Sequence, residues 1–272
     1  MPRVAVVGNL SRDVVDHGTP TAGGCPMFAA AVAQRLAASV QIVTRYAAAD
    51  AQLFRPALEA LETELTVLPA ATTSGFALDY IGEEREMGVT RIGETWRPED
   101  AAALSSEIAW VHVAPLLRSD FPAETLASFA EGRHVSLDGQ GLVRASRVGR
   151  LKVDADYDPP VLGSVTTLKL SEEEARIVSG GAFDRSTAAR LGVPEVLLTL
   201  GSHGAVVFVD GDETFVPAAW PVLGVQTTGA GDAFMVGYAV ARTEGQDPVG
   251  AARAGSRLVA EMLEERKQAP AT

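Results

Sequence analysis

The stretch Thr227-Thr-Gly-Ala-Gly-Asp-Ala-Phe234 combines two glycines with a carboxylate at the predicted start of a helix. Small residues let the backbone approach a ligand closely, and the first N–H groups of a helix have no partner within it. Together with the helix dipole, these groups form a site for an anion. Asp232 would lie in the first turn, either merely complementing the dipole or acting as a general base beside a bound phosphate. The small-residue helix that follows favours the second interpretation over an ordinary Gly-x-Gly turn.

Outward from this stretch, short apolar runs alternate with helical patterns along most of the 272 residues. The runs predict strands at 4–7, 41–44, 66–68, 110–113, 135–138, 166–169, 196–199 and 205–208. The helical patterns lie at 28–38, 50–61, 123–130, 172–178, 186–191, 230–243 and 249–265. This alternation predicts an α/β fold, with helices covering a central, mainly parallel sheet in one domain over residues 1–272.

Residues 72–96 interrupt the alternation. Two apolar stretches, 76–81 and 88–92, flank the polar turn 82–86, a pattern typical of an antiparallel ribbon. We expect this ribbon to lie outside the main sheet. It is either a lid over a site, formed by about 15–23 and 73–97, or an ordinary hairpin at the sheet edge.

The composition excludes several classes of protein. The chain has 23 Lys and Arg against 35 Asp and Glu, a net charge of -12, and is 47% hydrophobic. Such a chain can bury a core, and it lacks the basic surface that nucleic acids require. No apolar run reaches the length of a membrane span, and Val4–Val7 is too short for a signal peptide core. With Cys25 as its only cysteine, we expect a cytoplasmic protein without a disulfide framework, binding neither nucleic acid nor membrane.

Lysine usage limits how the chain could hold phosphate. Its three lysines are Lys152, Lys169 and Lys267, and none follows a glycine in a Gly-Lys-Ser/Thr loop. A Walker-type phosphate loop is therefore excluded. We expect arginine, backbone N–H groups or a metal ion to hold any phosphate.

Several segments together resemble the PfkB carbohydrate kinase family, also called ribokinase-like. Gly8-Asn-Leu-Ser-Arg-Asp13 resembles its first strand, and Gly23-Gly24 resembles its di-glycine substrate turn. Ser171-Glu-Glu-Glu174 is similar to its Asn-x-x-Glu motif. Thr199-Leu-Gly-Ser-His-Gly204 resembles its nucleotide segment, and residues 229–232 resemble its anion hole and catalytic base. The resemblance implies a three-layer α/β/α fold with a small β-lid.

The same resemblance implies roles for individual residues. Asn9, Asp13, Gly23 and Gly24 would bind the substrate. Thr199, Gly201, Gly204 and Thr228 would contact ATP, and Glu174 would organise Mg²⁺ through water. The N–H groups of Gly229, Ala230 and Gly231 would stabilise the transferred phosphoryl group, while Asp232 deprotonates the acceptor hydroxyl.

From the residues alone, simpler interpretations stay open. Asp13 could form a turn, Glu174 could belong to a solvated helix face, and Gly201 and Gly204 could simply turn a hairpin. The resemblance favours an ATP-dependent kinase of a sugar or polyol, with a nucleoside as the alternative acceptor. It also leaves room for a homodimer formed through the lid.

Two departures from the family pattern motivate a different class of function. Gln226 stands where the family has Asp or Asn, and Ser171 stands where it has Asn. The chain could therefore be a ligand-binding protein that lost efficient transfer. A third departure, the segment Cys25-Pro-Met-Phe28, lacks the asparagine of many sugar kinases, which makes the pocket more apolar and leaves room for a polyol or nucleoside acceptor. A nucleotide hydrolase is a third possibility, and it predicts ATP consumption without an acceptor.

Overall fold

A computed structural model of the chain describes residues 3–36, 40–60, 63–81 and 84–268. It contains a large nine-stranded sheet and a second sheet of five strands. Side by side, the strands of the large sheet are β14 (Asp212–Pro217), β13 (Gly204–Val209), β12 (Glu195–Thr199), β11 (Thr167–Ser171), β9 (His134–Asp138), β8 (Ile108–Val113), β1 (Arg3–Asn9), β4 (Val40–Ala47) and β5 (Glu64–Ala70). All neighbours from β12 to β5 pair in parallel, and β13 and β14 are antiparallel. The predicted α/β fold with a mainly parallel sheet is confirmed.

Helices cover both faces of the large sheet, because its central strands are apolar on both sides. Along β1, Val4 and Val6 pack into one core, whereas Ala5 and Val7 pack into the other. A fully buried parallel strand reads as a continuous apolar run for this reason. The helices are α1 (Cys25–Ala33), α2 (Ala51–Glu59), α3 (Ala123–Phe129), α4 (Gln140–Val143), α5 (Glu172–Ser179), α6 (Arg185–Arg190), α7 (Ala230–Thr243) and α8 (Pro248–Gln268).

The second sheet has its own small apolar core, which includes Phe76, Leu78 and Val89. It overlaps the ranges 15–23 and 73–97 expected for a lid, but it begins at Ser11 and its hairpin ends at Arg91. Trp96, by contrast, is buried in a core of the large sheet. The strands lie in the order β10 (Gly149–Arg150), β7 (Glu84–Arg91), β6 (Ser74–Ile81), β2 (Ser11–Val15) and β3 (Thr21–Gly23).

Other predicted boundaries differ at a few places. Helix α1 begins at Cys25 rather than residue 28, directly after Gly24. Strand β14 was not expected because most of its residues are exposed and it lacks an apolar run. The predicted ends of two helices at 37–38 and 61, and part of the turn at 82–83, lie outside the described residues. Among the helices of the described part, none is long and apolar enough to cross a membrane.

Candidate functional site

A cluster of charged side chains lies where the parallel strands end, the edge at which α/β sheets bind ligands. Asp138 is the last residue of β9 and lies opposite Lys169 of β11 in the strand register. Asp232, in the first turn of α7, interacts electrostatically with both. Asp138 and Asp232, which are 31 and 63 positions from Lys169 in sequence, thus meet it at one edge of the sheet. Strand pairing and the packing of α7 create this proximity.

The loop before α7 has the shape of an anion site. Gly229 precedes the helix with φ of 81°, a left-handed conformation that favours glycine. A Cβ at this position would also lie 2.7 Å from the ring of Phe28. The N–H of Ala230 donates to the carbonyl of Thr227 at 3.0 Å, so the turn itself uses this predicted donor. Of the three predicted phosphate donors, the N–H groups of Gly229 and Gly231 are thus the ones that this turn bond does not use, and the roles of all three stay predictions.

Lys169 is a site residue that the sequence reasoning missed. Its side chain is buried, and its Nζ lies 3.1 Å from Oδ2 of Asp138 and 3.8 Å from Oε2 of Glu174. The same Nζ is 3.4 Å from the point that a Cβ would occupy on Gly231. Burial alone would lower the pKa of Lys169, but the carboxylates of Asp138 and Glu174 raise it. A permanent positive charge therefore faces the first turn of α7.

The sequence considered only arginine, backbone N–H groups and metal for phosphate, and Lys169 adds a candidate cation. Its position between Leu168 and Leu170 was the available signal, because a buried ammonium needs a specific partner. That partner, Asp138, belongs to a neighbouring strand that the sequence did not pair with it. Burial would raise the pKa of Asp138, but Lys169 holds it below its usual value.

Asp232 is in a suitable state for proton transfer. Burial raises its pKa to about 6, and the negative charge of Asp138 acts in the same direction. A hydrogen bond with the Cys25 thiol and the charge of Lys169 oppose this shift. A carboxylate with a pKa just below neutrality is ionised at pH 7 yet more basic than an exposed one. These are the properties of a general base.

Glu174 forms a reciprocal cap at the start of α5. Its Oε2 accepts from the N–H of Ser171 at 2.8 Å, and the Ser171 hydroxyl accepts from the N–H of Glu174 at 3.3 Å. Ser171 thus serves the helix end where the family pattern has asparagine. Within the described ranges, no group of three or more His, Cys, Asp or Glu side chains could hold a metal ion. A metal here would need ligands from water and from a bound phosphate compound.

The residues predicted to bind substrate lie where the second sheet meets α1. Asp13 of β2 faces Gly23 of β3 so closely that a Cβ on Gly23 would overlap the Asp13 carboxylate. Gly24 has φ of 102°, and a Cβ there would lie 2.7 Å from the carbonyl oxygen of Asn9. Cys25 follows directly and contacts Asp232. The glycine turn is therefore adjacent to the candidate base.

The side chain of Asn9 forms hydrogen bonds within the protein. Its Oδ1 accepts from Nε1 of Trp96 at 2.9 Å, and its Nδ2 donates to the carbonyl of Glu94 at 3.2 Å. The side chain is only 1% exposed. Both ends of the amide thus have a partner inside the protein, which gives Asn9 a structural role. Its expected substrate contact stays a prediction.

A cavity of about 250 Å³ adjoins the anion loop, with Thr227 and Gly231 in its wall. Thr199, Gly201 and Gly204, predicted to contact a nucleotide, all line it, and so does Gly231. Thr228 does not line the cavity, although its neighbour Thr227 does. Apolar side chains form much of the wall: Trp220, Val222, Phe234, Val259 and Leu263.

Comparisons with known proteins show what the chain as a whole resembles. The model of the pfkB family carbohydrate kinases matches residues 5–270. A ribokinase of Arabidopsis thaliana is 34% identical over 106 residues, covering 35% of this chain and 27% of that protein. A fructokinase of Klebsiella pneumoniae is 31% identical over 159 residues, covering 52% and 48%. The aligned parts thus span about a quarter and about half of these curated relatives.

A solved structure extends the likeness to the whole fold. It is described as a pyrophosphate-dependent kinase in the ribokinase family, complexed with a pyrophosphate analog and myo-inositol. It superposes with a TM-score of 0.81 at 20% sequence identity, covering 96% of this chain and 95% of the other. The ribokinase-like architecture expected from the sequence is confirmed.

Proposed function

The chain belongs to the pfkB family of carbohydrate kinases, and we propose that it transfers the γ-phosphoryl group of ATP to a hydroxyl of a small sugar or polyol. One observation carries the proposal. Asp232, with its pKa near 6, lies in the first turn of α7 beside Gly229 and Gly231, and the Lys169 ammonium faces the same turn. A base, two backbone donors and a fixed cation are what phosphoryl transfer requires.

In the proposed reaction, Asp232 takes the proton of the acceptor hydroxyl. The hydroxyl oxygen forms a bond to the γ-phosphorus while the bond to the bridging oxygen breaks, and that oxygen's electrons leave with ADP. The N–H groups of Gly229 and Gly231 and the charge of Lys169 stabilise the negative charge on the transferred group. These groups are fixed before the reaction, which lowers the cost of reorganisation in the transition state.

The apolar cavity supports a nucleotide as the phosphate donor. A heteroaromatic base is flat and largely apolar, and walls such as Trp220, Val222 and Leu263 suit it. Pyrophosphate, the donor of the structurally similar kinase, has no apolar part that would use these walls. We therefore propose ATP, lying along Thr199, Gly201 and Gly204 with its phosphates toward the start of α7.

Magnesium fits this site in the mode it prefers with nucleotides. Mg²⁺ keeps several waters and takes few protein ligands when phosphates supply the others. Glu174 uses Oε2 in the helix cap, and it would hold the ion through water. When bound, Mg²⁺ supplies additional neutralisation of phosphate charge.

The acceptor would lie between Asp13, the glycine turn and the second sheet, with the sheet acting as a lid. A carboxylate accepts hydrogen bonds from hydroxyl groups, so Asp13 suits a sugar or polyol. The names of the relatives, among them ribokinase and fructokinase, support the same class. Pairing of two copies through the second sheet stays a prediction.

The proposal is tested by supplying ATP or pyrophosphate with Mg²⁺ to the purified protein, together with a panel of sugars, polyols and nucleosides. Phosphorus NMR would follow the formation of a phosphate monoester. We expect equal amounts of ADP and phosphate ester, and only when an acceptor is present. Thermal stabilisation by ligands without any ester would instead favour a binding protein. Release of inorganic phosphate without an acceptor would favour a hydrolase.

A further inference from the structure

Arg266 on α8 reaches the loop that precedes the anion site. Its Nη1 donates to the carbonyl of Thr228 at 2.6 Å and to the carbonyl of Gln226 at 3.2 Å. These acceptors lie 38 and 40 residues earlier in the chain. The contact joins the end of the last helix to the residue directly before Gly229.

We propose that Arg266 is a positioning residue for the phosphate site, because it fixes the peptide group that carries the N–H of Gly229. The peptide group is planar and trans, so its C=O and N–H point in opposite directions. A guanidinium that holds the Thr228 carbonyl therefore also sets the direction of the Gly229 N–H. The hydrogen bond from Arg266 to the Gln226 carbonyl likewise fixes the peptide group between Gln226 and Thr227.

The part of the loop next to Gly229 benefits from such a tether because it is exposed, whereas Val222 and Val225 earlier in the loop pack against the core. Residues 218–229 form no helix or strand, and Gln226, Thr227 and Thr228 are all exposed. Packing alone thus contributes little to ordering them. A hydrogen bond from a charged donor is stronger than one between neutral groups, and one guanidinium supplies several donors in a fixed geometry.

The tether also gives Gln226 a part in the site. This position departs from the Asp or Asn of the family pattern, but its contact with Arg266 uses the backbone carbonyl. The departure therefore leaves the loop's attachment intact. Preorganised donors act on the transition state only when their direction is fixed beforehand.

The inference rests on the proposed kinase function, and Arg266→Ala tests it. The control is Arg257→Ala, which removes an exposed arginine from the same helix. We expect kcat of Arg266→Ala to fall about 10- to 100-fold, less than the loss from deleting an oxyanion-hole donor. The acceptor KM should change by less than about twofold, because the substitution removes none of the contacts that bind the acceptor equally in the ground and transition states. The control should keep the kcat of the unmodified chain.

Chemical rescue separates positioning from general stabilisation. Guanidinium chloride, added well below its denaturing range, should raise kcat of Arg266→Ala several-fold, and sodium chloride should not. Arg266→Lys should retain more activity than Arg266→Ala because an ammonium can still donate to one carbonyl. An Arg266→Ala variant with unchanged kcat would overturn the inference. Equal effects of guanidinium on all variants would overturn it too, and so would a folded Arg266→Lys no better than Arg266→Ala.

A binding measurement keeps this test separate from the kinase proposal. Calorimetry with inorganic pyrophosphate reports on the anion site without turnover. If the unmodified chain phosphorylates no acceptor, the kinase proposal fails, but weaker pyrophosphate binding by Arg266→Ala than by Arg257→Ala still supports the tether. If turnover is present and Arg266→Ala matches Arg257→Ala in both kcat and binding, only the tether fails.

Discussion

Helix α7 contributes to two charge clusters, and they differ in how their charges are balanced. At its first turn, Asp232 approaches Asp138 and Lys169. Further along the helix, Tyr238 and Arg242, six and ten residues after Asp232, both contact Glu195 of β12. The first cluster lies where the parallel strands end, and the second lies at the start of β12.

In the second cluster, the carboxylate has all its partners within the protein. The Glu195 carboxylate accepts from Tyr238 at 2.5 Å, from Arg242 at 2.6 Å and from Thr167 at 2.8 Å. One carboxylate thus meets one cation and two neutral donors. The satisfied carboxylate of Glu195 fixes helix α7 against the sheet, so this cluster is explained by its structural role.

The first cluster is incomplete in charge. The three carboxylates Asp138, Glu174 and Asp232 lie near Lys169, whose ammonium is within hydrogen-bonding distance of Asp138 but 3.8 Å from Glu174. Arg144 adds a second positive charge that acts on Glu174 and Asp232, so three carboxylates face two cations. Burial of unbalanced charge is costly, so the arrangement is explained better by function than by stability. A bound ligand, a metal ion or a proton would complete it. The comparison therefore separates a site from a structural anchor on one helix.

The largest effect should come from Asp232→Asn, which removes the base and keeps the shape. We expect kcat to fall about 10³-fold, within the range for a lost general base. Steady-state kinetics checks this, with exposed Asp156→Asn as the matched control. Affinity for ATP, measured by calorimetry, should change little. Turnover close to that of the control would exclude Asp232 as the base.

Lys169→Met should lower kcat about 10²-fold, because a fixed charge beside the transferred group is lost. It also leaves Asp138 buried without a cation, which costs about 3–5 kcal/mol of unfolding free energy. The double variant Lys169→Met/Asp138→Asn removes that penalty. Urea unfolding and kcat of both variants check the prediction. If the double variant regains stability and full turnover together, Lys169 has only a structural part.

Arg242→Met should produce the opposite pattern in the second cluster. Glu195 loses its cation but keeps two donors, so we expect unfolding free energy to fall by about 3 kcal/mol. Turnover per folded molecule should stay within about twofold of the unmodified chain, because the site cluster is intact. Urea unfolding and active-site titration measure the two effects separately. A large loss of kcat in the folded variant would break the distinction between the clusters.

Asp232→Asn should also stabilise the fold near neutral pH. The folded protein holds the Asp232 proton up to about pH 6, whereas the unfolded chain releases it near the ordinary value of 3.8. The free energy of unfolding therefore falls as pH rises between these values, and asparagine avoids this loss. We expect a gain of about 1–3 kcal/mol above pH 6 that disappears below about pH 4. Urea unfolding at both pH values checks this, and an equal gain at both would point to another cause.

The sequence predicts features that depend on local pattern. Buried parallel strands such as β1 are continuous apolar runs. The start of α7 is predicted by Gly229, which lies between the glycine-rich stretch and the small-residue helix. Strand β14 and the two-residue β10 escape such reasoning, because mostly exposed or very short strands have no apolar signature.

Site residues that depend on strand pairing were not predictable in the same way. Lys169 acquires its partner only because β11 lies next to β9, and Arg266 reaches the anion loop only because α8 packs beside it. Asn9 shows the converse. Its motif suggested a ligand contact, and the structure adds a structural role, because Trp96, 87 residues later, donates to the amide oxygen. Long-range contacts decide such roles.

The pH dependence of kcat/KM tests the central claim that burial has made Asp232 a general base. For the unmodified chain, we predict that kcat/KM rises about tenfold per pH unit at low pH and levels off above about pH 6, following the raised pKa of Asp232. The residual activity of Asp232→Asn should lack this transition. A profile that is flat between about pH 5 and 8, or a transition retained in Asp232→Asn, would contradict the account.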